Sequence, residues 1–227
     1  MRVYRTTRGI VIQAQGQFYL SKHTDWDQFA SRSDLFFSVA REIQFLRPDP
    51  GYWDYIRNFS LPAIGSQEIW TLQDHPQLLS TASRCCNQED SLRRLNIANG
   101  NAGIAFLLNP QGKMQGLTLV HILMDTMGYP YQDHCSIGPC LWIPEPDKPL
   151  SWQIMTQVMR ENVIVSQIQQ SISWQIPPLL THFWSQQRFS VGMYLIQTQT
   201  ILSDLQAGDR LKTTLAQMGS LLNRVTT

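Results

Sequence analysis

The sequence has few charged residues, almost no net charge and no long hydrophobic run. Charged side chains make up 15% of its 227 residues, and 18 Lys and Arg against 17 Asp and Glu leave a formal net charge of +1. Proteins that bind nucleic acid by neutralising phosphates usually carry a basic excess or a basic stripe, and neither is present. No apolar segment approaches the roughly 20 residues that a membrane helix requires. We therefore expect neither a nucleic-acid partner nor a membrane span.

Cysteine is also scarce, and its spacing is uninformative for metal or redox chemistry. The four cysteines are Cys85, Cys86, Cys135 and Cys140, which form no Cys-x-x-Cys pair. We interpret them as buried thiols of a reducing compartment. The basic residues at the N-terminus are not followed by the apolar segment of a signal peptide. These features predict a cytoplasmic protein.

Hydrophobic residues make up 43% of the chain, which is enough for a packed core, and their pattern is mostly that of strands. Residues 26–47 have apolar side chains at helical spacing, and residues 76–84 are compatible with a helical turn. A breaker cluster at residues 47–53 ends this first part of the chain. The fold class is therefore predicted as mixed, mainly β with short helices (α+β), with an N-terminal α+β segment over residues 1–60 and a second domain over residues 61–227. Strands are predicted over residues 9–16, 17–20, 67–72, 101–108, 113–123, 151–158, 166–176 and 208–216, and a helix-like stretch after Pro177. Tight turns are predicted at Gly16 and over residues 109–112.

Five segments, taken in chain order, resemble landmarks of the fumarylacetoacetate hydrolase superfamily. They are residues 61–70, 103–118, 135–140, 189–195 and 205–223, and they extend over residues 60–225. The resemblance implies a β-roll core and a homodimer. It also implies an enzyme in which three carboxylates bind Mg²⁺ or Mn²⁺, and in which the metal polarises a dicarbonyl substrate.

The same resemblance implies where the three carboxylates should be, and none of these positions is acidic. The Glu-x-Glu pair of the family falls on Asn101 and Gly103, and the third ligand falls on Ile122. An amide, a residue without a side chain and an aliphatic side chain cannot replace three carboxylates around a small hard cation. We therefore expect no metal and no other cofactor.

Other family positions are altered as well. The catalytic histidine segment is matched by His75, but Leu78 stands where its acidic partner is expected, so a surface loop histidine is the competing interpretation. The family lysine falls near Tyr129, and the Thr-Gly-Thr-Gly loop reads as residues 197–200, where a threonine replaces the permissive glycine. The catalytic candidates are His75, Tyr129 and Gln197, and the substrate-binding candidates are Tyr131, Arg93 and Thr198.

A second polar group surrounds the returning strand of the central hairpin. His121 and His134 flank Asp125 and Asp133, a combination that invites a metal interpretation. Histidines in strands are more often packed and hydrogen-bonded, and no His-x-x-x-His helix motif is present. Both interpretations stay open at this point.

Three functions follow from these observations. The leading hypothesis is a pseudoenzyme: a family-like fold that has lost metal-dependent hydrolase or decarboxylase chemistry and serves in binding or assembly, with a protein partner or a small carbonyl or apolar ligand. The alternative is a metal-independent cyclase, isomerase or dehydratase acting on a carbonyl or polyene substrate in the same pocket. The third is a metal-dependent dicarbonyl hydrolase, which requires two carboxylates to converge beside His121 or Asp125.

Overall fold

The computed structural model describes residues 1–72, 76–81, 91–93, 99–124, 130–146, 151–173 and 191–226. Strands dominate this part of the chain, and the helices are short. The helices are α1 (Trp26–Ala30), α2 (Leu35–Ile43) and α3 (Tyr52–Phe59). The strands are β1 (Arg2–Thr6), β2 (Gly9–Ala14), β3 (Gln17–Leu20), β4 (Glu68–Leu72), β5 (Pro76–Thr81), β6 (Ser91–Arg93), β7 (Asn99–Leu108), β8 (Met114–Met124), β9 (Pro130–Ile137), β10 (Cys140–Trp142), β11 (Ser151–Arg160), β12 (Val163–Ser173), β13 (Met193–Ser203), β14 (Arg210–Leu215) and β15 (Gly219–Thr226).

These strands form two sheets. The large sheet has the order β3-β2-β1-β10-β8-β7-β13-β4-β5, and β9 also pairs with β8. The small sheet has the order β12-β11-β14-β15-β6. Most neighbours are antiparallel, whereas β13 runs parallel to β4 and β15 runs parallel to β6. The mainly β, α+β class predicted from the sequence is confirmed.

Two tight hairpins owe their geometry to residues that tolerate a left-handed backbone. Gln15 and Gly16 connect β2 to β3 with φ values of 51° and 77°. Glu161 and Asn162 connect β11 to β12 with φ values of 50° and 68°. Two-residue loops with positive φ at both positions match the right-handed twist of the strands that they join, and Gly and Asn are favoured there. The turn predicted at Gly16 is therefore present.

The central strands β7 and β8 are covered on both faces. On one face, which we call the helix-side face, Leu107 and Ile122 share a buried cluster with residues of α1 and α2. On the other, which we call the inter-sheet face, Phe106 and Leu119 pack with Trp152 and other residues of the small sheet. Burial on both faces explains why residues 101–108 form an almost uninterrupted apolar run.

The backbone of β13 approaches the end of β7 very closely at Gly192. The φ of Gly192 is 80°, and an added Cβ would lie 2.2 Å from the carbonyl oxygen of Leu108. Only glycine avoids both the strained φ and this clash. Gly192 therefore sets how β13 enters the large sheet beside β7.

Two local predictions are wrong. The predicted helix over residues 26–47 is divided into α1 and α2, because Asp34 caps a new helix by accepting a hydrogen bond from the Phe37 amide at 3.3 Å. Residues 76–81 form β5 rather than a helical turn, because they pair with β4 in the large sheet. The helix-like stretch predicted after Pro177 lies outside the described residues.

The first sixty residues contribute an edge to the large sheet. Val3 of β1 pairs with Leu141 of β10, so that the hairpins of the N-terminal segment continue the same sheet. The division of the chain at residues 60 and 61 stays a prediction. None of the described helices is long and apolar enough to cross a membrane. Among the described residues, Cys135 and Cys140 are buried thiols that form no disulfide bond.

Candidate active site at the central strands

The three positions at which the resemblance implies metal ligands lie together on the helix-side face. Asn101 of β7 is the direct cross-strand partner of Ile122 of β8, and Gly103 is two residues further along β7. Side chains two residues apart in a strand point to the same face. Asn101 is 5% exposed and Ile122 is 1% exposed. Asn101 and Ile122 are therefore neighbours, and both are almost fully buried.

The side chains around these positions are those of a core. Cys135 of β9 is the cross-strand partner of Ile122 on its other side, and Val120 pairs with Gly103. Asn101 donates a hydrogen bond from Nδ2 to the Sδ of Met124 at 3.5 Å. Val120, Ile122, Met124 and Cys135 all belong to the buried cluster beneath α1 and α2.

This donor set does not fit Mg²⁺ or Mn²⁺. Hard divalent cations bind carboxylate, carbonyl and water oxygens, whereas this face offers one amide and a thiol among aliphatic and thioether groups. Within the described part of the chain, no three His, Cys, Asp or Glu side chains converge in a way that could hold a metal. We therefore derive no catalytic step through a metal at this face.

Two of the remaining candidates lie on β13, next to the same hairpin. Thr198 is the cross-strand neighbour of Gly103, so its backbone lies beside one of the three positions at which the resemblance implies metal ligands. Gln197 is paired with Ile104, one residue along, so its side chain belongs to the inter-sheet face. Gln197 is partly buried. The structure thus separates Gln197 from Asn101 and Ile122 by the thickness of the sheet.

The other candidates are more dispersed. Tyr131 lies on β9, and Arg93 ends β6 of the small sheet, where it pairs with Thr226. Strands β6 and β9 lie beside each other although they belong to different sheets. His75 and Tyr129 lie outside the described residues.

His121 is at the centre of a buried polar network that the sequence did not reveal. It lies on the inter-sheet face of β8 and is 0% exposed. Its Nδ1 is 2.7 Å from Oδ1 of Asn223, and its Nε2 is 2.8 Å from Oγ1 of Thr213. Oγ1 of Thr213 is also 3.0 Å from that of Thr156. The network joins the large sheet to β11, β14 and β15 of the small sheet.

The network holds His121 in its neutral form. Burial lowers the pKa of His121 to about 4, and the hydrogen bond that its Nδ1–H donates to Oδ1 of Asn223 opposes this shift only in part. A neutral ring donates from one nitrogen and accepts at the other, and the hydrogen-bond network assigns Nδ1–H to Asn223 and the Nε2 lone pair to the Thr213 hydroxyl. No described carboxylate accompanies this histidine, so its environment supports the packed, hydrogen-bonded interpretation rather than the metal interpretation.

Comparison with known proteins gives a clear answer for the fold. No family model matches the chain, and no curated protein matches its sequence. Among solved structures, 2-keto-3-deoxy-D-arabinonate dehydratase complexed with magnesium and 2,5-dioxopentanoate superposes with a TM-score of 0.77 at 15% identity, over 100% of this chain and 99% of the other. Maleylpyruvate hydrolase from Sphingobium sp. SYK-6, in complex with manganese (II) ion and pyruvate, gives 0.70 at 12% identity over 100% and 99%. The chain has the fold of the fumarylacetoacetate hydrolase superfamily.

Proposed function

We propose that this chain is a non-catalytic relative of these enzymes that acts by binding and assembles as a homodimer. The dehydratase and the hydrolase with the same fold were solved with magnesium and manganese. One observation supports the loss of this chemistry here. The positions at which the resemblance implies metal ligands carry Asn101, Gly103 and Ile122, and Ile122 belongs to an apolar cluster that also contains residues of α1 and α2.

The burial of the helix-side face also favours this proposal over the metal-independent alternative. A cyclase, isomerase or dehydratase would need an open pocket at this place, since the substrate has to approach the catalytic groups. Ile122 and Cys135 are each 1% exposed, and Val120 is fully buried. Among the described residues of this face, the packed aliphatic side chains leave no room for a carbonyl or polyene substrate between them.

The homodimer is supported by the exposed edge of the small sheet. Strand β12 is the terminal strand of that sheet in the described part of the chain, and it contains neither charged residues nor proline. Its first residues, Val163, Ile164 and Val165, are 64%, 50% and 50% exposed. Edge strands without charges, proline or cover offer unpaired backbone groups to another chain. A second copy of β12, added antiparallel, would satisfy these groups without bringing like charges together.

The loss of metal chemistry is tested by thermal unfolding with Mn²⁺ and oxalate, an analogue of enolate-like intermediates. We expect no bound metal in the purified protein and a melting temperature that changes by less than about 1 °C. A ligand at a hundred times its Kd would raise the melting temperature of a chain of this size by about 5–10 °C. The 2-keto-3-deoxy-D-arabinonate dehydratase serves as the positive control. A metal-dependent rise in this protein would overturn the proposal and restore the dicarbonyl enzyme.

The assembly mode is tested by placing charge on the edge strand. We expect the unmodified chain to sediment as a dimer, and the double variant Ile164→Lys/Gln169→Lys to sediment as a monomer, because lysine on an edge opposes strand addition. Analytical ultracentrifugation measures both. Phe45→Lys is the matched control, since Phe45 is 73% exposed but lies after α2, far along the chain from β12. An unchanged dimer in the double variant would exclude β12 as the interface.

A further inference from the structure

A cavity on the inter-sheet side of the molecule, away from Asn101, Gly103 and Ile122, lies between α3 and the beginning of β15. We call it the α3 crevice, and its volume is about 410 Å³. Pockets that bind small molecules have volumes of about 300–1,000 Å³. Its floor belongs to the large sheet, one wall to α3, and the opposite wall to the turn before β15 and to β15 itself. Tyr4 and Cys140 lie on the floor, Ile56 and Arg57 on the α3 wall, and Met218 and Leu221 on the opposite wall.

The interior of the α3 crevice is uncharged. Ile56 is 7% exposed, Met218 is 7% exposed and Leu221 is fully buried. Two acidic groups lie on the floor, but burial raises the pKa of Cys140 to about 12 and also raises the pKa of Tyr4 above its usual value. Both groups are therefore neutral at physiological pH, and the crevice offers a ligand apolar side chains together with the neutral polar groups of Ser60, Thr118 and Ser220.

The mouth of the crevice carries one charge, and it is positive. Arg57 lies in the last turn of α3 and is exposed. Among the described residues that line the crevice there is no Asp or Glu. Arg57 makes no hydrogen bond or ion pair with another described side chain, so its donors remain available to a ligand. A guanidinium with unused donors at the mouth of an otherwise uncharged cavity matches a carboxylate, to which it donates two parallel hydrogen bonds.

We propose that the α3 crevice binds a small monocarboxylate with an aryl or short alkyl body, the apolar body lying between Ile56 and Met218 and the carboxylate against Arg57. This site shares no residue with the helix-side positions Asn101, Gly103 and Ile122. It is therefore independent of whether the chain retains metal chemistry.

The proposal is tested with 4-(4-fluorophenyl)butyrate and its uncharged amide as probes. Titrations followed by ¹⁹F NMR give the Kd of each probe for the full chain. We expect the acid to bind at least tenfold more tightly than the amide. The variant Arg57→Gln should lose this advantage while it binds the amide as before, because only the charge-assisted contact is removed. Arg47→Gln is the matched control, since Arg47 is exposed and does not line the crevice.

A second variant tests the location of the apolar body. Met218→Trp narrows the crevice and should weaken both probes at least tenfold, and thermal unfolding checks that the variant is folded. Arg57 is exposed, so the Arg57→Gln result is decisive even where Met218→Trp fails to fold. The proposal is overturned by equal binding of acid and amide, by equal losses in Arg57→Gln and Arg47→Gln, or by the absence of millimolar binding to the unmodified chain.

Discussion

Acidification from pH 7 to pH 4.5 is expected to lower the free energy of unfolding by about 2 kcal/mol through His121 alone. Burial lowers the pKa of His121 to about 4 in the folded protein, whereas an unfolded histidine titrates near 6.5. Above pH 6.5 the ring is neutral in both states and has no effect on the pH dependence. Below pH 6.5 the unfolded chain binds a proton that the folded chain does not, so stability falls until the pH approaches 4.

The variant His121→Gln isolates this contribution. Glutamine offers a donor and an acceptor to Asn223 and Thr213 but does not titrate. The part of the pH dependence of the unfolding free energy that is due to His121 should therefore disappear between pH 6.5 and pH 4.5. Urea unfolding at several pH values measures the free energy directly. His23→Gln is the control, because the side chain of His23 is 42% exposed. If the unfolding free energy of His121→Gln depends on pH in the same way as that of the unmodified chain, His121 is charged or accessible in the folded protein.

The local elements of this fold could be read from the sequence, because they depend on neighbouring residues. The hairpin turn at Gly16 and the paired strands around residues 109–112 follow from turn-forming residues between apolar runs. The break between α1 and α2 is not predicted by the apolar spacing, which continues across it, although aspartate, as at position 34, is a common helix-capping residue. The strand at residues 76–81 cannot be recognised locally, because it exists only through pairing with β4.

The arrangement of these elements could not be read in the same way. Strand β13 lies between β7 and β4, which precede it by about a hundred residues, and no local pattern specifies that order. The partners of His121 lie 92 and 102 residues away in the sequence. A histidine in an apolar strand signals a buried polar contact, but only the packing of the two sheets identifies Thr213 and Asn223. The α3 crevice likewise combines residues from the two ends of the chain.

The resemblance contributed what periodicity could not. It implies that Asn101, Gly103 and Ile122 belong to one site, and the strand register makes Asn101 and Ile122 direct neighbours. Neutral or aliphatic residues at the three positions where the resemblance implies carboxylates fit the proposed loss of the metal site by one physical change. When the charges are absent, the space that a hydrated cation needs can close, and apolar side chains can pack there. The identity of these residues and the burial of the face thus support the same conclusion.

Restoring one carboxylate to this face therefore tests whether it has become a core. The variant Ile122→Asp is expected to lose about 3–5 kcal/mol of unfolding free energy at pH 7, because it places an unpaired charge in an enclosed apolar cluster. Ile122 is 1% exposed and is flanked by Asn101 and Cys135, which supply no positive partner. Urea unfolding measures the loss. Ile122→Val removes one methylene and should cost about 1 kcal/mol, and Ile122→Asn separates polarity from charge.

The pH dependence of the same variant distinguishes charge burial from a loss of packing. A buried aspartate has a folded pKa above its unfolded value of about 3.9. Its extra penalty should therefore be small near pH 3.5 and should grow as the pH rises through the unfolded pKa, relative to Ile122→Asn. Millimolar Mn²⁺ should restore none of the lost stability, since one carboxylate and one amide are a poor site for a hard cation. Recovery with Mn²⁺, or a loss no greater than that of Ile122→Val, would show that the face still holds a hydrated, metal-accessible cavity.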